Sequence, residues 1–252
     1  MIAITKKTKI SNLTNIWFDE YPKLKGALFN FLLYKQCKNG KNIFGFVKKE
    51  FYTKIIELRN KNDQQLLESF STNTKYKINR AKKEGVICVE HFGDLDDFVK
   101  YYNQFAREKN KLLINNDYLK LYQQNIVITK AEFENEIIVM HSYLIDFESD
   151  RARLFHSASH FRNESDSHKR NLIGRANRLL HFEDMKIFQA KGIHIYDLGG
   201  YAHMTDDKEK KAINEFKDGF NGELLLEYDF TSWPLFFYEH FFSKLIKPFK
   251  KN

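Results

Sequence analysis

Ile193-His194-Ile195-Tyr196-Asp197-Leu198-Gly199-Gly200 is a short apolar strand that stops on paired glycines. Upstream, Arg153-Leu154-Phe155-His156-Ser157-Ala158-Ser159 reads as a second strand. Between them a polar loop leads into a long helical stretch over 172–191. Downstream, Phe216-Lys217-Asp218-Gly219-Phe220-Asn221-Gly222 turns into a last strand over 223–230. Strand, helix and strand in this order give an α/β fold. In open α/β sheets ligands gather at strand carboxyl ends, and paired glycines permit positive φ and close approach of a ligand. Asp197 stands at that end. It either accepts a proton from an attacking amine or holds a substrate hydroxyl, or it is a structural acceptor for the Gly199-Gly200 turn. Lys217, flanked by Phe216 and Phe220, either is structural or binds phosphate and steadies a developing negative charge.

The helix over 172–191 carries two lines of interest. Leu172, Ala176, Leu179, Leu180, Ile187 and Ala190 share one face. Glu183 falls inside that stripe, where a carboxylate must be paired or line a cavity. Asn177, His181 and Asp184 form a second line at i, i+4 and i+7. That line is either a solvated face or a hydrogen-bonded row bordering a cleft, with His181 able to act as a base.

Working outward, strands over 137–147 and 151–159 form an antiparallel pair joined by Glu148-Ser149-Asp150. Further strands are expected at 29–34, 43–47, 52–58 and 87–90, with a turn at Asn39-Gly40. Asn62 or Asp63 caps a short helix through Phe70. A basic helix over 74–84 carries Lys75, Lys77, Arg80, Lys82 and Lys83 and stops at Gly85. Its charges are either a solvated face or a phosphate-facing patch. Asp94 caps a helix over 95–108 whose terminal Arg107 suits the helix dipole. A helix over 117–124 follows, and 201–211 reads as a charged loop. The expected organisation is an N-terminal extension (1–50), a main domain (51–232) and an aromatic, basic C-terminal helix (233–252). That last helix packs on the domain or on a second copy in a homodimer, or touches a membrane interface.

The 252 residues, 42% hydrophobic and 29% charged, suit a globular protein with a sizeable core. A formal net charge of +8 favours an anionic partner: nucleic acid, phosphorylated substrate, coenzyme or membrane surface. Cys37 and Cys88 cannot make a disulfide framework or a Cys-rich zinc site, and no metal is expected. The polar, basic start and the lack of a run of about 20 apolar residues point to the cytoplasm, with peripheral contact at the inner face of the membrane as the variant.

Three segments together resemble the FemABX-like, GNAT-fold transferases: Lys75-Tyr76-Lys77-Ile78-Asn79-Arg80-Ala81-Lys82-Lys83-Glu84-Gly85-Val86, then Lys191-Gly192 with Tyr196-Asp197-Leu198-Gly199-Gly200, then Phe216-Lys217 with Phe220-Asn221-Gly222. Order and spacing agree over about residues 50–230, with Asn221 where the family has glycine. The resemblance implies a mixed, mostly antiparallel GNAT-like sheet flanked by helices, with a splayed pair of central strands. It implies transfer of an acyl or aminoacyl group to an amine, the donor being acyl-coenzyme A or aminoacyl-tRNA. The chain has room for one full unit, whereas bridge-forming enzymes usually have two and often a coiled-coil arm. Lys217 matches the family's donor- or acceptor-handling lysine, and Arg107 resembles an acceptor-phosphate arginine. Arg170-Asn171-Leu172-Ile173-Gly174-Arg175-Ala176 is one residue longer than the coenzyme-binding R/Q-x-x-G-x-G/A pattern.

On this footing Asp197, His181 and Lys217 are the expected catalytic residues. Ser157, Ala158, Ser159, Arg170, Gly174 and Arg175 would hold the donor, and Arg80, Arg107, Asn177, Tyr196, Gly199 and Gly200 the acceptor. The first expected reaction is transfer from acyl-coenzyme A to the amine of a cell-envelope or surface-polysaccharide precursor, an amino sugar or nucleotide-linked sugar. The alternatives are aminoacyl-tRNA-dependent transfer to a peptidoglycan precursor and a binding module that kept the fold without chemistry.

Overall fold

The computed structural model describes residues 1–8, 10–91, 95–160 and 166–242, with the backbone alone at Phe242. In chain order the first elements are β1 (Ile2–Lys7), β2 (Asn12–Trp17), β3 (Phe31–Cys37), β4 (Phe46–Glu57), α1 (Asp63–Glu68), α2 (Thr72–Lys83) and β5 (Ile87–Glu90). Then come α3 (Leu95–Glu108), α4 (Asn116–Lys120), β6 (Ile126–Phe133), β7 (Glu136–Asp146) and β8 (Arg151–Ser159). The last are α5 (Ser167–Ala190), β9 (Ile195–Gly200), α6 (Lys208–Asp218), β10 (Glu223–Ser232) and α7 (Trp233–Phe237), followed by a π-helical turn over Tyr238–Phe242. The fold is mixed α/β with a mostly antiparallel sheet, as expected.

The chain forms two compact units, Met1–Thr53 with Leu225–Asn252, and Lys54–Leu224. In the first, β2 pairs antiparallel with β1 and parallel with β3, and β3 pairs antiparallel with β10. Ile16, Ala27, Tyr34, Cys37, Phe46 and Phe230 make its core. Buried polar groups are matched there: Gln36 donates to Glu227 at 2.8 Å, and the Ser232 hydroxyl bridges the Leu32 N–H and the Asn30 carbonyl.

In the second unit the strand order is β4-β9-β8-β7-β6-β5. Side chains alternate across a strand, and β7 divides accordingly. Val139, Tyr143 and Ile145 join the core under α5, with Leu179, Phe182, Phe188 and Tyr196, whereas Met140 packs with Phe98 of α3 and Leu119 of α4. Ser142 pairs with His156 but Tyr143 with Leu154, so Phe155 is an extra, bulged residue in β8. Such bulges bend a strand away from its neighbour. The β8–β9 ladder is parallel and short, running from Arg151↔Ile195 to Arg153↔Asp197. Beyond that pair β8 continues to Ser159 and β9 to Gly200. This opening is the splayed pair that the resemblance implied.

Several boundaries differ from expectation for local reasons. The strands expected at 43–47 and 52–58 are one twelve-residue strand, β4. The charged stretch over 201–211 is partly helical, because the Asp207 side chain accepts the Glu209 and Lys210 N–H groups and starts α6. Likewise Asp166 accepts the His168 N–H at 2.8 Å and starts α5 at Ser167, ahead of the first apolar residue. The expected Asp94 cap and the tail over 243–252 lie outside the described residues. Among the described residues no helix is long and apolar enough to cross a membrane.

Candidate active site

The carboxyl end of β9 is fixed from both sides. Asp197, wholly buried, accepts from Arg151 Nε at 3.1 Å and Nη2 at 2.7 Å through one oxygen, and from the Gly199 N–H at 2.8 Å through the other. This is a structural acceptor's arrangement. A base role would require opening a buried ion pair, which is costly. Gly199 has φ +75°, and a Cβ there would sit 3.2 Å from the Leu154 carbonyl oxygen. A side chain would therefore press on β8 where the strands part. From α6, Lys217 donates to the Gly199 and Gly200 carbonyls at 3.1 and 2.5 Å. Burial lowers its pKa to about 8; nearby Asp197 opposes the shift and Arg153 adds to it.

Beneath the opening lies a buried polar chain that joins α5 to β7 and β9. His181 Nδ1 meets the Tyr196 hydroxyl at 2.6 Å, and Tyr196 meets the Tyr143 hydroxyl at 2.5 Å. Tyr143 donates to Asp184 at 2.6 Å. His141 contacts Asp184 through Nδ1 at 2.9 Å and Asn177 through Nε2 at 2.8 Å. The Asn177, His181, Asp184 line is thus the hydrogen-bonded row that was one of its two readings. Sequence inspection missed His141 and Tyr143, since their partners lie far along the chain; two polar residues at alternate positions of an otherwise apolar strand were the signal. Burial pushes both tyrosines well above their ordinary range, with Asp184 adding to the shift. Burial pushes His181 well below its ordinary value, helped by His141, Lys217 and Arg178, so its ring is neutral at pH 7.

His141, His181 and Asp184 bring ligand atoms within 4.8 Å of one another, enough to consider a metal. Both nitrogens of His141 and one of His181 are already in hydrogen bonds. The set therefore reads as a hydrogen-bonded network.

On the opposite face of the sheet His156 bonds the Ser142 hydroxyl at 2.9 Å and packs on Tyr102. Burial lowers its pKa to about 3, with Arg153 adding to the effect. The unfolded chain protonates its histidines near pH 6.5, while folded His156 and His181 stay neutral. The unfolded state therefore binds more protons below that pH, and stability falls as pH drops. We expect His156 to contribute a loss of about 1.4 kcal/mol per pH unit between pH 6 and 4.5, with His181 adding to it in the same direction. Urea titrations across that window measure it, and His156→Asn should remove one histidine's share of the slope.

The other expected residues are dispersed. Ser157, Ala158 and Ser159 lie on β8 beyond the last β9 pair, beside the opening. Gly174 lies inside α5, so its N–H belongs to the helix ladder and is not presented at a helix start. Arg175 is bidentate to Glu84 at 2.7 and 2.8 Å, tying α5 to α2. Arg80 is held on α2 by Glu84 and Tyr76. Arg170 is half-buried near the start of α5, and Arg107 is exposed at the end of α3. Glu183, half-buried, pairs with Lys82 and Lys186. Arg178, which was not anticipated, stacks over Phe216 at 4.6 Å and donates to the Gly174 carbonyl, and its Nε has no partner among the described residues. Lys77 lies close enough to Arg175 and Arg178 that their charges add to the effect of burial in lowering its pKa. Among the described residues neither Lys77 nor Arg178 is paired with a carboxylate.

No family model matches the sequence, and no curated protein matches it. Solved structures do. FemX is similar over 95% of this chain and 86% of its own, at 14% identity and a TM-score of 0.64. The C-terminal domain of a lysylphosphatidylglycerol synthetase-type protein from Agrobacterium fabrum is similar over 91% of this chain and 79% of its own, at 10% identity and TM-score 0.57. L-PGS from Bacillus licheniformis covers 90% of this chain and 79% of its own, at 12% identity and TM-score 0.53. The fold is like that of FemX and of the lysylphosphatidylglycerol synthetase C-terminal domain.

Proposed function

We propose that the protein transfers an acyl or aminoacyl group to an amine, with the donor carbonyl lodged between the parted ends of β8 and β9. The observation that carries this reading is the short β8–β9 ladder, which stops at Arg153↔Asp197, with Lys217 bonded to the carbonyls at the end of β9. An amine attacking the carbonyl forms a C–N bond and expels the carrier's oxygen or sulfur. The negative charge that develops on the carbonyl oxygen is met by Lys217 and by N–H groups of β8 near Ala158 and Ser159. Neutral His181, held by Tyr196, takes the amine's proton, directly or through water. Asp197 acts as a positioning residue that keeps the Gly199 turn in shape.

Of the two donors, aminoacyl-tRNA has the better support. The residues expected to cradle a coenzyme pyrophosphate do not form such a cradle, because Gly174 is internal to α5 and Arg175 is taken by Glu84. Lys77 and Arg178 instead add two cations without carboxylate partners to the basic α2, which suits a phosphate backbone. The acceptor is the amine of an anionic cell-envelope precursor, in keeping with the net charge of +8 and the FemX-like fold.

Parallel titrations with unfractionated tRNA and with coenzyme A test the donor. The expected result is tRNA binding that weakens steeply with salt and drops about tenfold or more in Lys77→Glu/Arg178→Glu. Binding of coenzyme A alone would return the donor to an acyl thioester. Binding of neither would leave the non-catalytic module.

A further inference from the structure

We infer that the first unit carries a docking face for an anionic lipid bilayer, built from three segments that meet beside α7. The inference stands apart from the transferase reading. The first segment, Tyr21-Pro22-Lys23-Leu24-Lys25-Gly26-Ala27-Leu28-Phe29, is a tight double turn closed by Ala27 N–H to the Leu24 carbonyl and Asn30 N–H to the Gly26 carbonyl. It leaves Phe29 84%, Leu24 58% and Leu28 44% exposed. The second is the turn before β4, with Phe44 65% exposed. The third is α7 and the π-helical turn, with Phe237 and Phe241 exposed.

Contacts bring the three together. A Cβ at Gly45 would lie 3.3 Å from Leu28, the Phe44 ring packs edge-on against Trp233 at 4.7 Å, and the Trp233 N–H bonds the Gly45 carbonyl. Phe237 and Phe241 follow one helical turn apart, their rings 6.0 Å from each other. Large apolar side chains this exposed and this close mark an interaction surface.

Charge selects the occupant. Lys23, Lys25 and Lys41 are exposed within the first two segments, and those segments hold no acid. Lys38 adjoins Asp19 and Glu20, whose carboxylates offset its charge. Glu239 is the single carboxylate of the third segment. Aromatic side chains ringed by lysines match the headgroup layer of an anionic membrane. A second copy docked face to face would set these lysines against each other.

Flotation of the full chain with vesicles of equal parts phosphatidylglycerol and phosphatidylcholine, and with phosphatidylcholine alone, tests the inference. The protein should float with the anionic vesicles and be released by salt. Phe29→Ser/Phe44→Ser should weaken partition by about tenfold or more. Lys23→Glu/Lys25→Glu, which changes two exposed side chains and keeps the Lys23 N–H bond to the Tyr34 hydroxyl, should weaken it by about 25-fold or more. Phe147→Ser, at an equally exposed site in the second unit, should change nothing. Failure to float with anionic vesicles, or flotation that neither double variant weakens, would overturn the inference. So would a wild-type dimer that the Phe29→Ser/Phe44→Ser chain forms no longer, since the face would then join two copies.

Discussion

Asp197→Ala is expected to lower the unfolding free energy by about 3–5 kcal/mol, a fall in melting temperature on the order of 10 °C for a chain of this size. The substitution withdraws the carboxylate that meets Arg151, itself only 5% exposed, and removes the acceptor of the Gly199 N–H. A buried cation that loses its partner keeps its desolvation cost and forfeits the attraction that offset it. Asp197→Asn should fall between, because an amide oxygen can still accept from Gly199 while the charge is gone. Urea unfolding followed by tryptophan fluorescence gives the number. A stable Asp197→Ala chain that has lost all transfer activity would instead make Asp197 a catalytic residue and reverse the assignment made above.

The second large effect is expected at Lys217. Lys217→Met should reduce transfer by about 10²–10³-fold while leaving donor affinity within about threefold. Lys217→Arg should not restore it, because a planar guanidinium cannot replace an ammonium seated between two carbonyls in a buried site. Stability supplies a separate readout. Folded Lys217 titrates near pH 8, below its unfolded value, so between about pH 8 and 10 the unfolded state holds the extra proton and wild-type stability gains as pH rises. Lys217→Met should lack that gain. Single-turnover transfer and paired urea titrations at pH 7.5 and 9.5 check both halves. Unchanged turnover in Lys217→Met would remove the lysine from the mechanism.

Much of the second unit could be read from its residues. Alternating and apolar runs located β7, β8 and β9, and the caps at Asn62 and Gly85 located α1 and α2, because those signals are local. The opening between β8 and β9 could not be read from spacing, since it shows only in where the pairing of the two strands stops, at Arg153↔Asp197. The start of α5 was hidden because Ser167 to Asn171 are all polar and periodicity begins at Leu172. Asp197 and Glu183 looked alike as carboxylates among apolar neighbours, yet one meets Arg151 deep in the sheet and the other meets surface lysines. The strands β1 and β2 are short and mixed, and β2 gains its meaning from a parallel partner, β3, across an irregular loop.

The path of the chain through the first unit has a consequence for how the protein is made. Residues up to Thr53 leave the ribosome well before β10, yet β3 is completed by β10, and the core around Tyr34 and Cys37 includes Phe230. The intervening stretch, Lys54–Leu224, is continuous and holds its own core. At about 5–20 residues per second, the N-terminal strands wait roughly 10–35 s for their partner, with apolar residues such as Phe31 and Tyr34 uncovered. During that interval the leading segment lacks its partner strand, while the middle of the chain already holds every residue of its own core.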